Sequence, residues 1–195
     1  MKRPEFWIIA GPNGAGKTTL SSRLTKRWGD IAIVNPDEIA LEIDPAHRNE
    51  RSVQSRAGRL AILQREKYLG EYRSFAVETT LSGNASIRLM EKARSLGYRI
   101  SLIYIGLDSA MVSFIRVQTR VRDGGHSVPD QLLPGRYNSS MNNLAAAIDL
   151  ADRCWILDNS SRQKRFVMRR VQNKTTIMAS PLPNWAIKWI PAEFL

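Results

Sequence analysis

The chain has 195 residues, 43% apolar and 24% charged, which fits one compact domain spanning 1–195 and leaves no room for a second of full size. Its longest apolar runs, Phe6 to Ala10 and Leu102 to Ile105, are strand-sized, whereas a bilayer span takes about 20 residues. The start Met1-Lys2-Arg3-Pro4-Glu5 lacks a secretory core, so no membrane span and a cytoplasmic location are expected. A formal charge of +11 and a pI near 10.3 fit either a nucleic-acid surface or a site that holds several phosphates. The lone Cys154 can form neither an internal disulfide nor a cysteine zinc site and reads as core packing.

Short β-branched runs alternate with longer runs of helical period, the pattern of an α/β domain with a mainly parallel sheet and helices on both faces. Strands are expected at 5–10, 31–34, 74–78, 100–105 and 153–157. Lys17 to Trp28, with Leu20, Leu24 and Trp28 at helical spacing, and the proline-free run from about 47 to 70 are expected helices. Asp108 suits the N-cap of a helix running to about Arg122, where Asp123-Gly124-Gly125 stops it and a mobile loop follows. From Pro129 to about Ala151 the pattern is helical again, broken or restarted by Pro134-Gly135. Phe166 to Val171 and Thr175 to Ala179 read as an antiparallel hairpin, part of an accessory segment at about 160–180. Trp185 and Trp189 stand at helical spacing in the tail and read as packing aromatics.

Gly11-Pro12-Asn13-Gly14-Ala15-Gly16-Lys17-Thr18 matches G-x-x-x-x-G-K-[ST] between an expected strand and an expected helix, the context in which it makes a phosphate loop. Glycines let the backbone curl its N–H groups inward, and the following helix adds its unpaired donors and positive dipole end. Lys17 is expected to reach the β- and γ-phosphates of ATP, and the Thr18 hydroxyl to ligate Mg²⁺. Thr19 is an α-phosphate contact or simply a helix residue.

The acceptor must be sought at other strand ends, because ligands of open α/β sheets bind beyond the carboxyl ends of the strands. Asp37, after Asn35-Pro36, could take a proton from an attacking hydroxyl or merely cap the next helix. Glu78, which ends the run Phe75-Ala76-Val77, suits a substrate hydroxyl or Mg²⁺. Asp158 reads as a turn cap and is left out of the site.

Arg116 and Arg120 share a helix face, while Arg122 points elsewhere. With the glycine break and Arg136 beyond it, the segment of about 116–136 has the makings of a lid whose arginines stabilise the charge of a moving phosphoryl group. Arg120 and Arg136 are the preferred pair. His126, beside two glycines, is a weaker substrate contact. Arg162, Lys164, Arg165, Arg169, Arg170 and Lys174 crowd the tail and read as a solvated surface.

Four segments carry a family resemblance. They are Gly11 to Thr19, Val34-Asn35-Pro36-Asp37-Glu38-Ile39-Ala40, Glu78-Thr79-Thr80-Leu81-Ser82-Gly83, and Arg120-Val121-Arg122-Asp123-Gly124-Gly125-His126-Ser127-Val128-Pro129. With these the chain resembles the zeta toxin family of P-loop kinases. The resemblance implies a P-loop fold and ATP-dependent phosphorylation of a sugar hydroxyl on a UDP-activated amino sugar. It places Lys17 and Thr18 at phosphate and Mg²⁺, Asp37 as general base, Glu78 with Thr79 and Thr80 at the substrate, and Arg120 and Arg136 on phosphate. It also brings in an antitoxin protein as a partner. A reading of another class, a nucleic-acid-binding ATPase or polynucleotide end-kinase, draws on the net charge, but the tail lacks interleaved aromatics for base stacking.

Overall fold

The computed structural model describes residues 3–28, 31–125 and 127–195. Among them, seven strands form one sheet in the order β2-β3-β1-β4-β5-β6-β7. Strands β1 (Glu5–Ala10), β2 (Ala32–Val34), β3 (Phe75–Thr79), β4 (Arg99–Gly106) and β5 (Arg153–Asp158) run parallel. The hairpin of β6 (Arg165–Val171) and β7 (Lys174–Ile177) extends the sheet antiparallel from β5. This is the expected architecture, and it puts the start of α1 (Lys17–Trp28) beyond the carboxyl end of β1, the middle one of the five parallel strands.

The register divides the core. Phe6, Ile8 and Ala10 of β1 align with Phe75, Val77 and Thr79 of β3 and with Ile100, Leu102 and Tyr104 of β4. That face is buried under α4 (Asn84–Ser95), α6 (Leu133–Asn142) and α7 (Leu144–Leu150), whose Met90, Ala93, Met141, Ala147 and Ile148 join the same apolar cluster. The other face carries Glu78, which Ser21 of α1 reaches with a hydrogen bond of 3.0 Å. No element of the sequence reading corresponds to α4, although Ile87, Met90 and Ala93 stand at helical spacing.

Local chemistry sets the helix ends. The helix α2 (Pro36–Ile43) starts behind Asn35, whose side chain accepts from the Asp37 N–H, and Pro36 lies in the first turn, where no N–H is needed. The expected helix of 47–70 is α3 (Arg51–Gly70). In α5 (Ala110–Arg122) the cap is Ser109 rather than Asp108: the Ser109 hydroxyl accepts from Val112 N at 3.3 Å. Pro134 restarts the chain as α6 after a 3-10 turn over Asp130–Leu132.

The tail packs onto this frame through α8 (Asn184–Trp189). Trp185 is buried and its indole N–H donates to Asp158 Oδ1 at 3.0 Å, which bears out its reading as packing. Burial opposes ionisation of Asp158, but hydrogen bonds from Ser160, Trp185 and Arg165 outweigh it and hold the carboxyl below its ordinary value. Asp158 is therefore an anchor between β5 and the tail. Cys154 is fully buried, and that burial pushes its thiol pKa up. Among the described residues no helix is long and apolar enough to cross a membrane.

Candidate active site

The loop between β1 and α1 curls as its glycines allow. Gly14 and Gly16 adopt φ of +72° and +83°, a region that side chains disfavour. Gly11 passes so close to β4 that an added Cβ would lie 2.2 Å from the Ile105 carbonyl oxygen. Across the bend, Lys17 Nζ donates to the Pro12 carbonyl at 3.0 Å, and Ser113 Oγ of α5 donates to the Asn13 carbonyl at 2.7 Å. Lys17 is buried, and burial pulls its pKa down to about 8. The charges of Glu78 and then Asp37 oppose that shift, and Arg120 adds to it. Lys17 thus feels both carboxylates proposed from the sequence.

Glu78 is buried at the end of β3, its two oxygens taken by Thr18 Oγ1 at 2.7 Å and Ser21 Oγ at 3.0 Å. The paired Thr18 hydroxyl and Glu78 carboxylate are hard oxygen donors beside the phosphate loop, a set that suits Mg²⁺. Among the described residues no group of three His, Cys, Asp or Glu could hold a metal ion. Asp37 lies in the first turn of α2, whose cap is Asn35, and lines the same cavity. After β3, Leu81 is buried at φ 56°, a strained conformation for a bulky residue. Thr79 Oγ1 accepts from its N–H, Asn143 Nδ2 donates to its carbonyl at 2.9 Å, and the turn presents Thr79 and Thr80 to the cavity.

These groups surround one cavity of about 840 Å³. Arg116 and Arg120 from α5 and Arg136 from α6 line it too, whereas Arg122 is exposed outside it. Helix α5 ends in a double-bonded turn: Gly124 N–H returns to the Val121 carbonyl and Gly125 N–H to the Arg120 carbonyl. A Cβ on Gly125 would lie 2.5 Å from Arg120 Cγ, so the second glycine keeps room for that arginine. Beyond it, Arg48 donates to the Gly124 carbonyl, and Ser127 N–H to Asn49 Oδ1 at 3.4 Å. The glycine break is thereby tied to the α2–α3 connection. His126 lies outside the described residues.

The zeta toxin family matches residues 1–181. The chain belongs to that family. An uncharacterized protein of Haemophilus influenzae is 32% identical over 144 residues, 70% of this chain and 100% of that protein. Among solved structures, AvrRxo1-ORF1 in complex with AvrRxo1-ORF2 and sulphate ions superposes with a TM-score of 0.75 at 17% identity, over 99% of this chain. The chain spans 65% of that structure's length. A structure of the PezAT chromosomal toxin-antitoxin system of Streptococcus pneumoniae superposes with a TM-score of 0.62 at 18% identity, covering 84% of this chain and 72% of that one. At these identities the structures speak for the fold, which is that of the P-loop kinases.

This zeta toxin family member also places in its site residues that no motif announces. Arg51, Gln54 and Arg65 of α3 line the same cavity as the phosphate loop. Helical spacing puts Gln54 and Arg65 on one face, but a polar stripe on a long helix reads equally as a solvated surface. The tail departs from its reading as solvated surface at Arg165, which pairs with Asp158, and again beside the phosphate loop. Asn159 Nδ2 donates to the Ala15 carbonyl and Lys164 Nζ to the Gly16 carbonyl, both at 2.9 Å. Burial, then Arg23 and Arg116, lower the pKa of Lys164. The loop after β5 therefore braces the phosphate loop from outside.

Proposed function

We propose that the protein is an ATP-dependent kinase that transfers the γ-phosphate to a sugar hydroxyl, on a UDP-activated amino sugar. The observation that carries this reading is the placement of Lys17, Glu78 and Asp37 around one cavity, with Lys17 sensing both carboxylates. A structure of AvrRxo1-ORF1:-ORF2 with ATP, which superposes at a TM-score of 0.72 over 91% of this chain and of which this chain spans 61%, supports ATP as the donor.

The roles follow from the chemistry of phosphoryl transfer, which needs positioning and charge stabilisation more than covalent help. The loop amides and Lys17 hold the β- and γ-phosphates, from Gly11 through Thr19. Thr18 would hold Mg²⁺, which when bound supplies neutralisation of the bridging phosphate oxygens. Asp37 accepts the proton of the attacking hydroxyl as its oxygen bonds to the γ-phosphorus and the bond to the β–γ bridging oxygen breaks, releasing ADP. Glu78, Thr79 and Thr80 orient the sugar, and Arg120 with Arg136 stabilises the charge on the transferred group. Closure of the segment of about 116–136 over the nucleotide would keep water from competing for the phosphoryl group. An antitoxin protein that occludes this cavity is the regulatory partner the family membership supports, in a cytoplasmic setting.

Incubation with Mg²⁺, ATP and UDP-N-acetylglucosamine tests the reading, with mass spectrometry of the products. A phosphorylated sugar nucleotide is expected. Hydrolysis of ATP stimulated by short oligonucleotides, with no sugar product, would move the assignment to the nucleic-acid class.

A further inference from the structure

The wall of the cavity formed by α3 carries a buried cationic donor. Arg65 lines the cavity, and its Nε is buried with no hydrogen-bond partner among the described residues. The adjacent acid does not supply one, because the Glu66 carboxylate accepts from Lys92 Nζ at 2.5 Å. Burial lowers the Arg65 pKa from its ordinary value, yet a guanidinium stays charged under any physiological condition. A withdrawn charged donor is costly to leave unpaired, and an anion bound in the cavity would supply an acceptor to the guanidinium.

The helix face around it is open. Gln54, Gly58 and Arg65 share one side of α3 by spacing, and a Cβ added at Gly58 would meet nothing within 4 Å. Glycine weakens a helix interior relative to alanine, and no close packing requires it here. The charge balance agrees. Lys17, Arg116, Arg120 and Arg136 come from the phosphate loop, α5 and α6, where the phosphates of a nucleotide would engage them. Arg51 and Arg65 come from α3, and the two cavity carboxylates are already assigned to the sugar and its hydroxyl.

We infer that Arg65 is a specificity-determining residue that binds a phosphate group of the acceptor, with Arg51 and Gln54 completing an anion subsite on α3. This rests on the kinase reading above. The guanidinium fork matches two phosphate oxygens at once, so the subsite favours acceptors that already carry phosphate over neutral sugars. It also fixes the distance from that phosphate to the hydroxyl presented to Asp37.

The full chain, saturated with Mg²⁺ and a non-hydrolysable ATP analogue to occupy the phosphate loop, is titrated with UDP and with uridine. The wild type is expected to prefer UDP by about tenfold or more. Arg65→Gln should abolish the preference and Arg65→Lys keep part of it. In turnover, Arg65→Gln should raise KM for UDP-N-acetylglucosamine by about tenfold and leave KM for ATP within about twofold. Equal binding of UDP and uridine by the wild type, or a preference that survives in Arg65→Gln, overturns the subsite. Loss of the preference in Arg65→Gln without phosphoryl transfer to any sugar keeps the subsite and removes the kinase reading. Transfer to sugars with the preference untouched by Arg65→Gln does the reverse.

Discussion

On the phosphate-loop side the cavity is lined by Asn13, Gly14, Gly16, Lys17 and Thr18, on a loop bent at its glycines and braced by Ser113, Asn159 and Lys164. On the α3 side it is lined by Arg51, Gln54 and Arg65, side chains spaced by the helix repeat. In the proposed function the first wall holds the phosphates that every nucleoside triphosphate shares, and a rigid frame suits that task. The second can be rewritten one residue at a time without disturbing the fold, which is where a family would change its acceptor.

Perturbing the rigid wall should have the largest effects. Lys17→Met is expected to lower turnover by roughly 10²–10³-fold, the scale for loss of a preorganised charge at a transition state. It should not lower the melting temperature of the ligand-free chain at neutral pH. Burial holds the Lys17 pKa near 8 in the folded chain against 10.5 for the free side chain. The unfolded chain therefore binds more protons between those values, and stability should rise with pH across that window. A variant that melts earlier and still turns over would show the lysine to be structural, and the contrast between the walls would fail.

Gly125→Ala comes next. The new methyl group would collide with Arg120 Cγ and the Arg120 carbonyl, and a displaced transition-state contact costs on the order of tenfold to a hundredfold in kcat. Unchanged kcat, with normal ATP binding by calorimetry, would take Arg120 out of the chemistry. A smaller effect sharpens the electrostatics: ATP affinity should fall about tenfold from pH 7 to pH 9 as Lys17 loses its proton, and Lys17→Met should show a flat profile. A steep profile in that variant would assign the titration to another group.

How much was legible beforehand follows from the same division. Backbone cradles need particular residues at fixed offsets, so Gly11 to Thr18 stood out, and so did the strands, whose β-branched runs end at polar residues. The bounds of α1, Lys17 and Trp28, coincide with the expected ones. Side chains on a helix wall need only a face, and a face is visible only when the partner surface is known. Arg51 and Arg65 were invisible for that reason. Lys164 was hidden by its neighbours, since one lysine docked on the Gly16 carbonyl looks the same in sequence as the exposed cations around it. The capping error had a simpler cause: Asp108 and Ser109 are both good caps, and the turn geometry selects Ser109.

The central claim is that Asp37 readies the acceptor while the opposite wall holds the nucleotide. Single-turnover phosphoryl transfer by Asp37→Asn, run beside titration of a non-hydrolysable ATP analogue, tests it most directly. The account predicts transfer slowed by roughly 10²-fold or more with analogue affinity within about twofold of the wild type. Transfer at the wild-type rate, or loss of nucleotide binding in step with activity, would contradict it.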